Sequence, residues 1–211
     1  RPDFAERALP HLDEALFSVH GPDAATHDAM TRRPGSFEQV TRAIRTAREH
    51  PGFGLFANTV VTRENVHQVP DTVAMLADLG VTLIILSNTT PEGAAEDVYE
   101  QIAVPLETLA EVMPRVPARA GDALVRFFGM PMCVLGDHGM LSNDLHWDPR
   151  VTVEWASEPG KVVFTDFYNW EPNRRRVHAE ACTDCSLNTV CMGVYDRYNQ
   201  LWPTDALRPA R

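Results

Sequence analysis

The sequence has 211 residues, 44% hydrophobic and 23% charged, which excludes a wholly disordered or collagen-like chain and leaves room for a sizeable core. Its formal net charge of −10 disfavours a general polyanion-binding surface, so no nucleic-acid partner is expected. The longest apolar run, around residues 81–86, is far shorter than the ~20 residues of a membrane helix. Because the sequence shows no secretion signal, we expect a cytoplasmic protein with no membrane partner.

Residues 15–116 alternate between apolar strands and amphipathic helices. Ser36 is expected to cap the first helix, and Pro105 to open the third. The alternation predicts parallel βα units, and continuously apolar strands are typical of a sheet covered on both faces. The sequence therefore predicts an α/β fold. Strands are predicted at residues 15–20, 55–61 and 81–86, and helices at residues 37–47, 66–79 and 105–113.

The pattern changes after Pro117, where we place the start of a small α+β cysteine-bearing extension. The predicted domains are therefore residues 1–118 and 119–211. The run Arg174-Arg175-Arg176 is the densest basic patch, and its simplest interpretation is a solvated loop. The extension is predicted to contain an apolar stretch at 124–134, antiparallel strands at 151–155 and 162–165 joined by a turn at 158–160, a charged loop at 166–180 and a short helix near 194–198.

Polar residues follow each predicted strand of the first domain. They are Ser18 and His20, Asn58 and Thr59, and Ser87 and Asn88. The carboxyl ends of parallel strands are where such folds bind ligands, so these side chains are candidates for a binding site. His20 and a second histidine, His27, either face that ligand or make local hydrogen bonds within the loop.

Four cysteines, Cys133, Cys182, Cys185 and Cys191, are the main candidates for metal ligands. The last three have C-x2-C-x5-C spacing, which is typical of a metal site and seldom forms structural disulfides. Cys133 is either the fourth ligand or a buried core thiol. His178 is close enough in sequence to be a ligand. Four thiolates suit a 4Fe–4S cluster and a tetrahedral zinc ion equally well.

Several segments of the chain resemble the radical SAM enzymes, which are built on a partial (βα) barrel with parallel strands. The family's fourth strand and the start of its fourth helix resemble Leu16-Phe17-Ser18-Val19-His20-Gly21 with Thr26-His27-Asp28 and Pro34-Gly35-Ser36-Phe37. Its fifth strand and following turn resemble Asn58-Thr59-Val60-Val61-Thr62 with Asn65. Its sixth strand and loop resemble residues 81–86 with Pro91-Glu92-Gly93. The first domain therefore resembles the C-terminal part of that barrel.

The tail resembles the auxiliary-cluster segment of the SPASM and twitch extensions found in this family. The resemblance rests on Cys182, Cys185 and Cys191, the last followed by Met192-Gly193. Cys133, in Met-Pro-Met-Cys, matches the position of an earlier ligand in such extensions. The resemblance implies an auxiliary 4Fe–4S cluster held by these four cysteines.

The family's radical chemistry requires a C-x3-C-x2-C loop for the cluster that cleaves S-adenosylmethionine, and this sequence contains no such loop. The resemblance therefore implies the C-terminal part of such an enzyme or one component of a split one, inactive unless the missing part is supplied. It also implies S-adenosylmethionine contacts by Ser18, Asn58, Ser87 and Asn88, with His20 toward the substrate side.

Two functions follow from the sequence. The first is a radical SAM-type iron–sulfur enzyme that acts on a peptide or small-metabolite substrate, with an electron donor protein as a further candidate partner. The alternative is a zinc-stabilised α/β binding or assembly module without catalytic activity. A third interpretation is a degenerate relative that binds a partner enzyme and has no affinity for S-adenosylmethionine alone.

Overall fold

Four parallel strands form the central sheet of the protein. The computed structural model describes residues 7–146, 151–158, 161–168 and 175–210. The strands are paired in the order β1-β2-β3-β4, and helices lie between them in the chain. The predicted α/β fold with parallel strands is therefore confirmed, and no closed barrel forms among the described residues. The strands are β1 (Glu14–Ser18), β2 (Gly54–Val61), β3 (Leu83–Asn88) and β4 (Leu124–Phe128).

Five helices follow the strands of this sheet. They are α1 (Ala24–Thr31), α2 (Ser36–Arg48), α3 (Val69–Asp78), α4 (Ala94–Ile102) and α5 (Leu106–Val112). The sequence pattern predicted α2, α3 and α5 but no helix at α1 or α4. Residues 66–68, predicted as the start of α3, form a separate 3-10 turn.

The predicted role of Ser36 as the cap of α2 is wrong. Gly35 occupies the N-cap position with φ +80°, a left-handed conformation that glycine adopts without steric cost. Ser36 is instead the first helical residue, and its hydroxyl donates to Asp28 Oδ1 at 2.9 Å. The Asp28 carboxylate also accepts from the Phe37 amide at 2.8 Å. Asp28, which lies in the neighbouring helix α1, therefore caps the N-terminus of α2.

The two faces of the sheet differ in burial. Along β2, Ala57 and Val61 are fully buried in the core, while the alternating residues Phe56 and Asn58 are half-buried. Leu16 of β1, on the same face as Phe56, is 57% exposed. The expectation that both faces are covered is therefore wrong for the described residues. Apolar side chains on this half-open face give the same continuous sequence pattern that a covered face would give.

The second half of the chain adds two small antiparallel pairs. Strands β5 (Val151–Glu158) and β6 (Lys161–Tyr168) pair as predicted, and β7 (Arg176–Val177) pairs with β8 (Val194–Tyr195). The predicted helix near 194–198 begins later, as α6 (Asp196–Leu201). The predicted turn residues 159–160, and residues 169–174 of the predicted loop, lie outside the described residues.

The tail packs on the same hydrophobic core as the sheet. Tyr195, Tyr198 and Leu207 are buried in one cluster with Ile84 and Leu86 of β3. The Tyr198 hydroxyl also accepts a hydrogen bond from the backbone amide that opens α5, at 2.9 Å. Strand β4 lies beyond residue 118 and pairs with β3, while the proposed division into two domains stays a prediction.

Across the described ranges of the chain, no helix has both the length and the apolar character to cross a membrane.

Candidate functional site

All four cysteines line one small cavity beside the sheet, with a volume of about 20 Å³ for a water-sized probe. Cys133 comes from the 3-10 segment that follows β4, whereas Cys182, Cys185 and Cys191 come from the loop between β7 and β8. Each is a half-buried free thiol. The fold thus brings Cys133 to a cluster that begins 49 residues later in the chain.

The far wall of this cavity is made by the last described residues. Leu207 and Pro209 line it. The Ser186 amide donates to the Ala210 carbonyl at 2.9 Å, which fastens this segment to the loop that carries Cys185. The cavity is therefore enclosed by chain segments far apart in sequence.

The thiols are close enough to influence one another's ionisation. Burial raises the pKa of Cys133, and the facing Cys191 and Cys182 raise it further, against a backbone hydrogen bond from Arg208. Burial also raises the pKa of Cys182, to which Cys191 and Cys185 contribute. A bound cation would offset both the burial cost and the repulsion among thiolates.

The positions of the ligands in this structure and the needs of the two candidate metal groups can be compared. Among the described residues, no three histidine, cysteine or acidic side chains are close enough together to hold a single metal ion. A tetrahedral zinc with Zn–S bonds near 2.3 Å would bring its sulfurs to about 3.8 Å from one another. An iron–sulfur cluster places each thiolate on a different iron atom and therefore takes ligands spread over a wider cavity. Both groups take thiolate ligands, so the four cysteines around this cavity are a donor set that fits either of them.

Cys191 has hydrogen-bond partners at both its sulfur and its carbonyl oxygen. Its sulfur accepts hydrogen bonds from the Met132 and Gly193 amides at 3.4 and 3.5 Å. Its carbonyl oxygen is 2.7 Å from His178 Nε2, which must donate there. Because that nitrogen is engaged, His178 orients the Cys191 backbone, and its Nε2 atom is not available to a metal. Amide hydrogen bonds to cysteine sulfur are one of the features that tune cluster potentials.

The arginines beside the cavity are paired, so their interpretation as a solvated loop is wrong for the two that the structure describes. Arg175 lies 3.0 Å from Glu96 and 3.3 Å from Asp196. Arg176 is 9% exposed and forms an ion pair with Asp144 at 3.2 Å. The third, Arg174, lies outside the described residues. Asp144 and Glu96 come from distant parts of the sequence, which is why the local charge run did not reveal these pairs.

The predicted S-adenosylmethionine contacts lie at the carboxyl edge of the sheet, where three of them share one face. Ser18 is opposite Asn58 in register, and the Ser87 hydroxyl donates to Asn58 Oδ1 at 2.7 Å. Asn88 points to the buried side instead. Its amide donates to the Gly129 carbonyl and its oxygen accepts from the Thr89 amide. The structure therefore brings together Ser18, Asn58 and Ser87 but separates the Asn88 side chain from them.

His20 and His27 form a stacked pair at this edge, with ring centroids 5.7 Å apart. His20 Nδ1 accepts from the Val60 amide at 3.3 Å, and His27 Nδ1 accepts from the His20 amide at 3.0 Å. Burial is the main factor that lowers the pKa of each ring. Both rings are therefore neutral near pH 7, with the proton on Nε2. Both histidines accept local hydrogen bonds at Nδ1, as one of the two alternatives predicted.

Asn65 joins the loops at the ends of β1 and β2. Its buried amide donates to the backbone carbonyls of His20 and Val60, each at 2.9 Å, and its oxygen accepts from the Thr62 amide at 2.8 Å. The side chain thus satisfies three backbone groups at the strand ends. It holds the face that carries the candidate S-adenosylmethionine contacts.

Arg126 is a candidate binding residue that the sequence pattern did not reveal. It lies on β4 in the same cross-strand row as Ser18, Asn58 and Ile85. Its side chain is half-buried. In the sequence, Arg126 is marked only by its apolar neighbours Val125 and Phe127. Its place beside Ser18 and Asn58 depends on the register of β4, which the sequence pattern does not give.

The sheet carries a polar face at its strand ends, and the cysteine cavity lies beside it. Comparison with known proteins finds relatives that share one family. The matching relatives are radical SAM enzymes. AdoMet-dependent heme synthase from Nitratidesulfovibrio vulgaris is 33% identical over 102 residues, covering 48% of this chain and 28% of that protein. The heme synthase from Oleidesulfovibrio alaskensis is 31% identical over 102 residues, covering 48% of this chain and 26% of the relative.

A relative with a different name matches a longer part of the chain. Mycofactocin maturase MftC from Mycolicibacterium smegmatis is 27% identical over 138 residues, covering 65% of this chain and 35% of that protein. The matches thus span about a third or less of the relatives' own length. No protein-family model matches the chain. The predicted resemblance to the radical SAM enzymes is confirmed by relatives of modest identity that match about half of the chain or somewhat more.

Proposed function

We propose that this chain supplies the S-adenosylmethionine-binding sheet edge and an auxiliary 4Fe–4S centre of a radical SAM enzyme that acts on a peptide or small metabolite. The observation that carries the proposal is the convergence of Cys133, Cys182, Cys185 and Cys191 on one cavity beside a sheet with radical SAM relatives. The radical-generating C-x3-C-x2-C loop comes from outside these residues in this proposal, either in the same polypeptide or in a partner.

The strand-end face supplies hydrogen-bond partners for S-adenosylmethionine. Two of the relatives are AdoMet-dependent by name. On this face, the exposed Ser18 hydroxyl is available for a ligand, and the Ser87–Asn58 bond leaves the Asn58 amide group as a donor. His20 carries its proton on Nε2 and can donate it to a substrate acceptor. Asn88 contributes through the backbone, because its side chain is already used internally.

The cysteine cavity provides the ligands for the auxiliary cluster. When bound, such a cluster supplies an electron-transfer or ligand-ordering group whose potential depends on burial and hydrogen bonding. The chain's own contribution is to hold four sulfurs around a partly enclosed space and to direct two amides at Cys191. An electron donor protein is the corresponding candidate partner.

The relatives differ in the products that their names indicate, one kind being heme synthases and the other a maturase. This difference is the reason for keeping both a peptide and a small metabolite as substrate classes. The half-open face of the sheet carries one apolar row of side chains (Leu16, Phe56, Leu83, Leu124) beside a mostly polar row (Ser18, Asn58, Ile85, Arg126), which suits either class.

The cluster assignment is tested by anaerobic reconstitution of the chain with ferrous iron and sulfide. We expect a brown protein that contains iron and acid-labile sulfide, and we expect Cys182→Ser, Cys185→Ser and Cys191→Ser each to lose it. Cys133→Ser tests the fourth ligand in the same way. Ser186→Ala is the matched control, because this exposed residue lies between the ligands and does not line the cavity.

Two outcomes would overturn the cluster assignment. A colourless protein with roughly one zinc ion per chain would favour the zinc-stabilised module instead. Retention of iron by all three variants of the C-x2-C-x5-C segment would exclude these cysteines as ligands. Binding of S-adenosylmethionine is measured separately, by equilibrium dialysis, so that the two parts of the proposal fail independently.

A further inference from the structure

A buried ion pair lies directly behind the turn that carries Cys191. Arg176 Nη2 is 3.2 Å from Asp144 Oδ2, and each side chain is 2% exposed. The same guanidinium donates to the Gly193 carbonyl through Nε at 3.1 Å and Nη2 at 2.6 Å. The ring of Tyr195 packs against it, 5.3 Å from ring centroid to guanidinium carbon. Arg176 is therefore directed at one carboxylate and one backbone turn.

Asp144 holds the other side of the same turn. Its Oδ2 atom accepts a hydrogen bond from the Met192 amide at 3.4 Å. The next amide along the chain, that of Gly193, is the one that donates to Cys191 Sγ. The N–H group facing the sulfur thus lies between two peptide groups, one held by Asp144 and the other by Arg176.

We propose that Arg176 and Asp144 are positioning residues for the cysteine centre. They fix the turn at 191–193 so that the Cys191 sulfur and the amide that bonds it face the cavity, and the cationic Arg176 stabilises the more negative, reduced state of a cluster bound there. This inference rests on the proposed auxiliary cluster. Groups that support metal ligands from behind typically change metal affinity by 10–100-fold when they are removed.

The energetics of buried ion pairs favour such a role over simple stabilisation. Desolvating two charges costs as much as their attraction returns, so a buried pair adds little stability compared with an apolar pair of the same volume. Burial raises the pKa of Asp144 in spite of the adjacent Arg176, which reflects this cost. The two side chains make four directed hydrogen bonds here, one between themselves and three to the turn at 191–193.

The neighbouring arginine supplies a matched control. Arg175 is adjacent in sequence and carries the same charge, but it bonds the Pro91 carbonyl and the carboxylates of Glu96 and Asp196. None of these groups belongs to the turn at 191–193. Arg175→Gln therefore removes an equal charge from the same strand region without releasing that turn.

The test compares Arg176→Gln with Arg175→Gln after anaerobic reconstitution of the whole chain. For Arg176→Gln we expect metal retention against a chelator to fall by about 10–100-fold, the midpoint potential to become more negative, and the electron paramagnetic resonance spectrum of the reduced centre to change. Arg175→Gln should leave all three unchanged. Arg176→Lys should restore much of the potential through its charge, but not the metal retention, because it cannot form the paired bonds to the Gly193 carbonyl.

A second variant separates positioning from folding. Asp144→Leu combined with Arg176→Met replaces the ion pair with apolar side chains but removes the partners of the Gly193 carbonyl and the Met192 amide, so the metal-free protein should melt at a lower temperature. Its metal retention should also fall, and retention is compared at a temperature at which circular dichroism shows the variant to be folded. Wild-type retention and potential in Arg176→Gln or in this double variant would refute the inference alone. Failure of the wild-type chain to take up metal would refute the proposed centre and the inference together.

Discussion

Replacement of Gly193 by alanine is a sharp test of how tightly the tail is packed around the cysteine cavity. Gly193 has φ +75°, in the left-handed region that favours glycine. A Cβ atom there would lie well inside van der Waals contact with the Val177 carbonyl oxygen, and 2.8 Å from its carbon. The contacted atoms are backbone of β7, which pairs with β8 through Val177 and Val194, so they cannot move aside without disturbing that pair.

The expected loss of stability has three parts. The left-handed backbone costs alanine about 1–2 kcal/mol. The reduced freedom of the unfolded chain returns about 0.4–1 kcal/mol. Overpacking against the β7 backbone adds about 1–3 kcal/mol. Gly193→Ala should therefore lower the free energy of unfolding by about 1–5 kcal/mol, with a central value of about 3 kcal/mol.

Gly52→Ala is the matched control, because Gly52 has φ +79° and a Cβ atom there would have no atom within 4 Å beyond its immediate chain neighbours. This variant has the backbone and unfolded-state effects without the contact, so its loss should be near ~1 kcal/mol. The assay is urea unfolding of the metal-free, reduced proteins, followed by circular dichroism. Equal losses in the two variants would show that the close packing of Gly193 on β7 does not exist in solution.

Two further predictions concern the strand-end site. Asn65→Ala removes a buried side chain that bonds three backbone groups, so it should lower the free energy of unfolding, measured in urea, by about 3 kcal/mol. The control Asn199→Ala, at an exposed position of α6, should change that free energy by less than about 0.5 kcal/mol. Similar losses in the two variants would contradict the argument. Because burial lowers the pKa of His20 and His27, the unfolded chain binds more protons below about pH 6.5, and stability should decline from pH 7 to pH 5. His20→Gln should make that decline shallower, and an unchanged pH profile would exclude a contribution from this ring.

Three of the four described strands of the sheet could be predicted from the sequence because their apolar residues are contiguous, whereas β4 was expected only as an apolar stretch of the extension. Residues 55–61 and 81–86 correspond to β2 and β3 within one or two positions. The helices α1 and α4 were missed for a physical reason. The sequence of α1 is a mixture of small and polar residues with one buried position, His27. Its N-cap is Asp23, whose carboxylate accepts from the Thr26 amide at 2.9 Å.

The site could be predicted in its residue types but not in its arrangement. Spacing identified Cys182, Cys185 and Cys191 as a group, yet left Cys133 undecided, because its approach to the others depends on the path of β4 and the segment after it. The face that Asn88 occupies depends on register, which shifts the side chain to the opposite face with each residue. The partner of Arg176 lies 32 residues earlier in the chain, a distance at which no local pattern carries information.

The hydrogen bond between the Ser186 amide and the Ala210 carbonyl has a practical consequence for preparing the protein. It holds the final described residues against the wall of the cysteine cavity. A polyhistidine tag placed directly after this segment would bring a row of imidazoles to a site rich in thiols, where the tag could compete for the metal under study. Affinity purification through the other end of the chain, or removal of the tag before metal analysis, keeps the measured stoichiometry that of the cysteines alone.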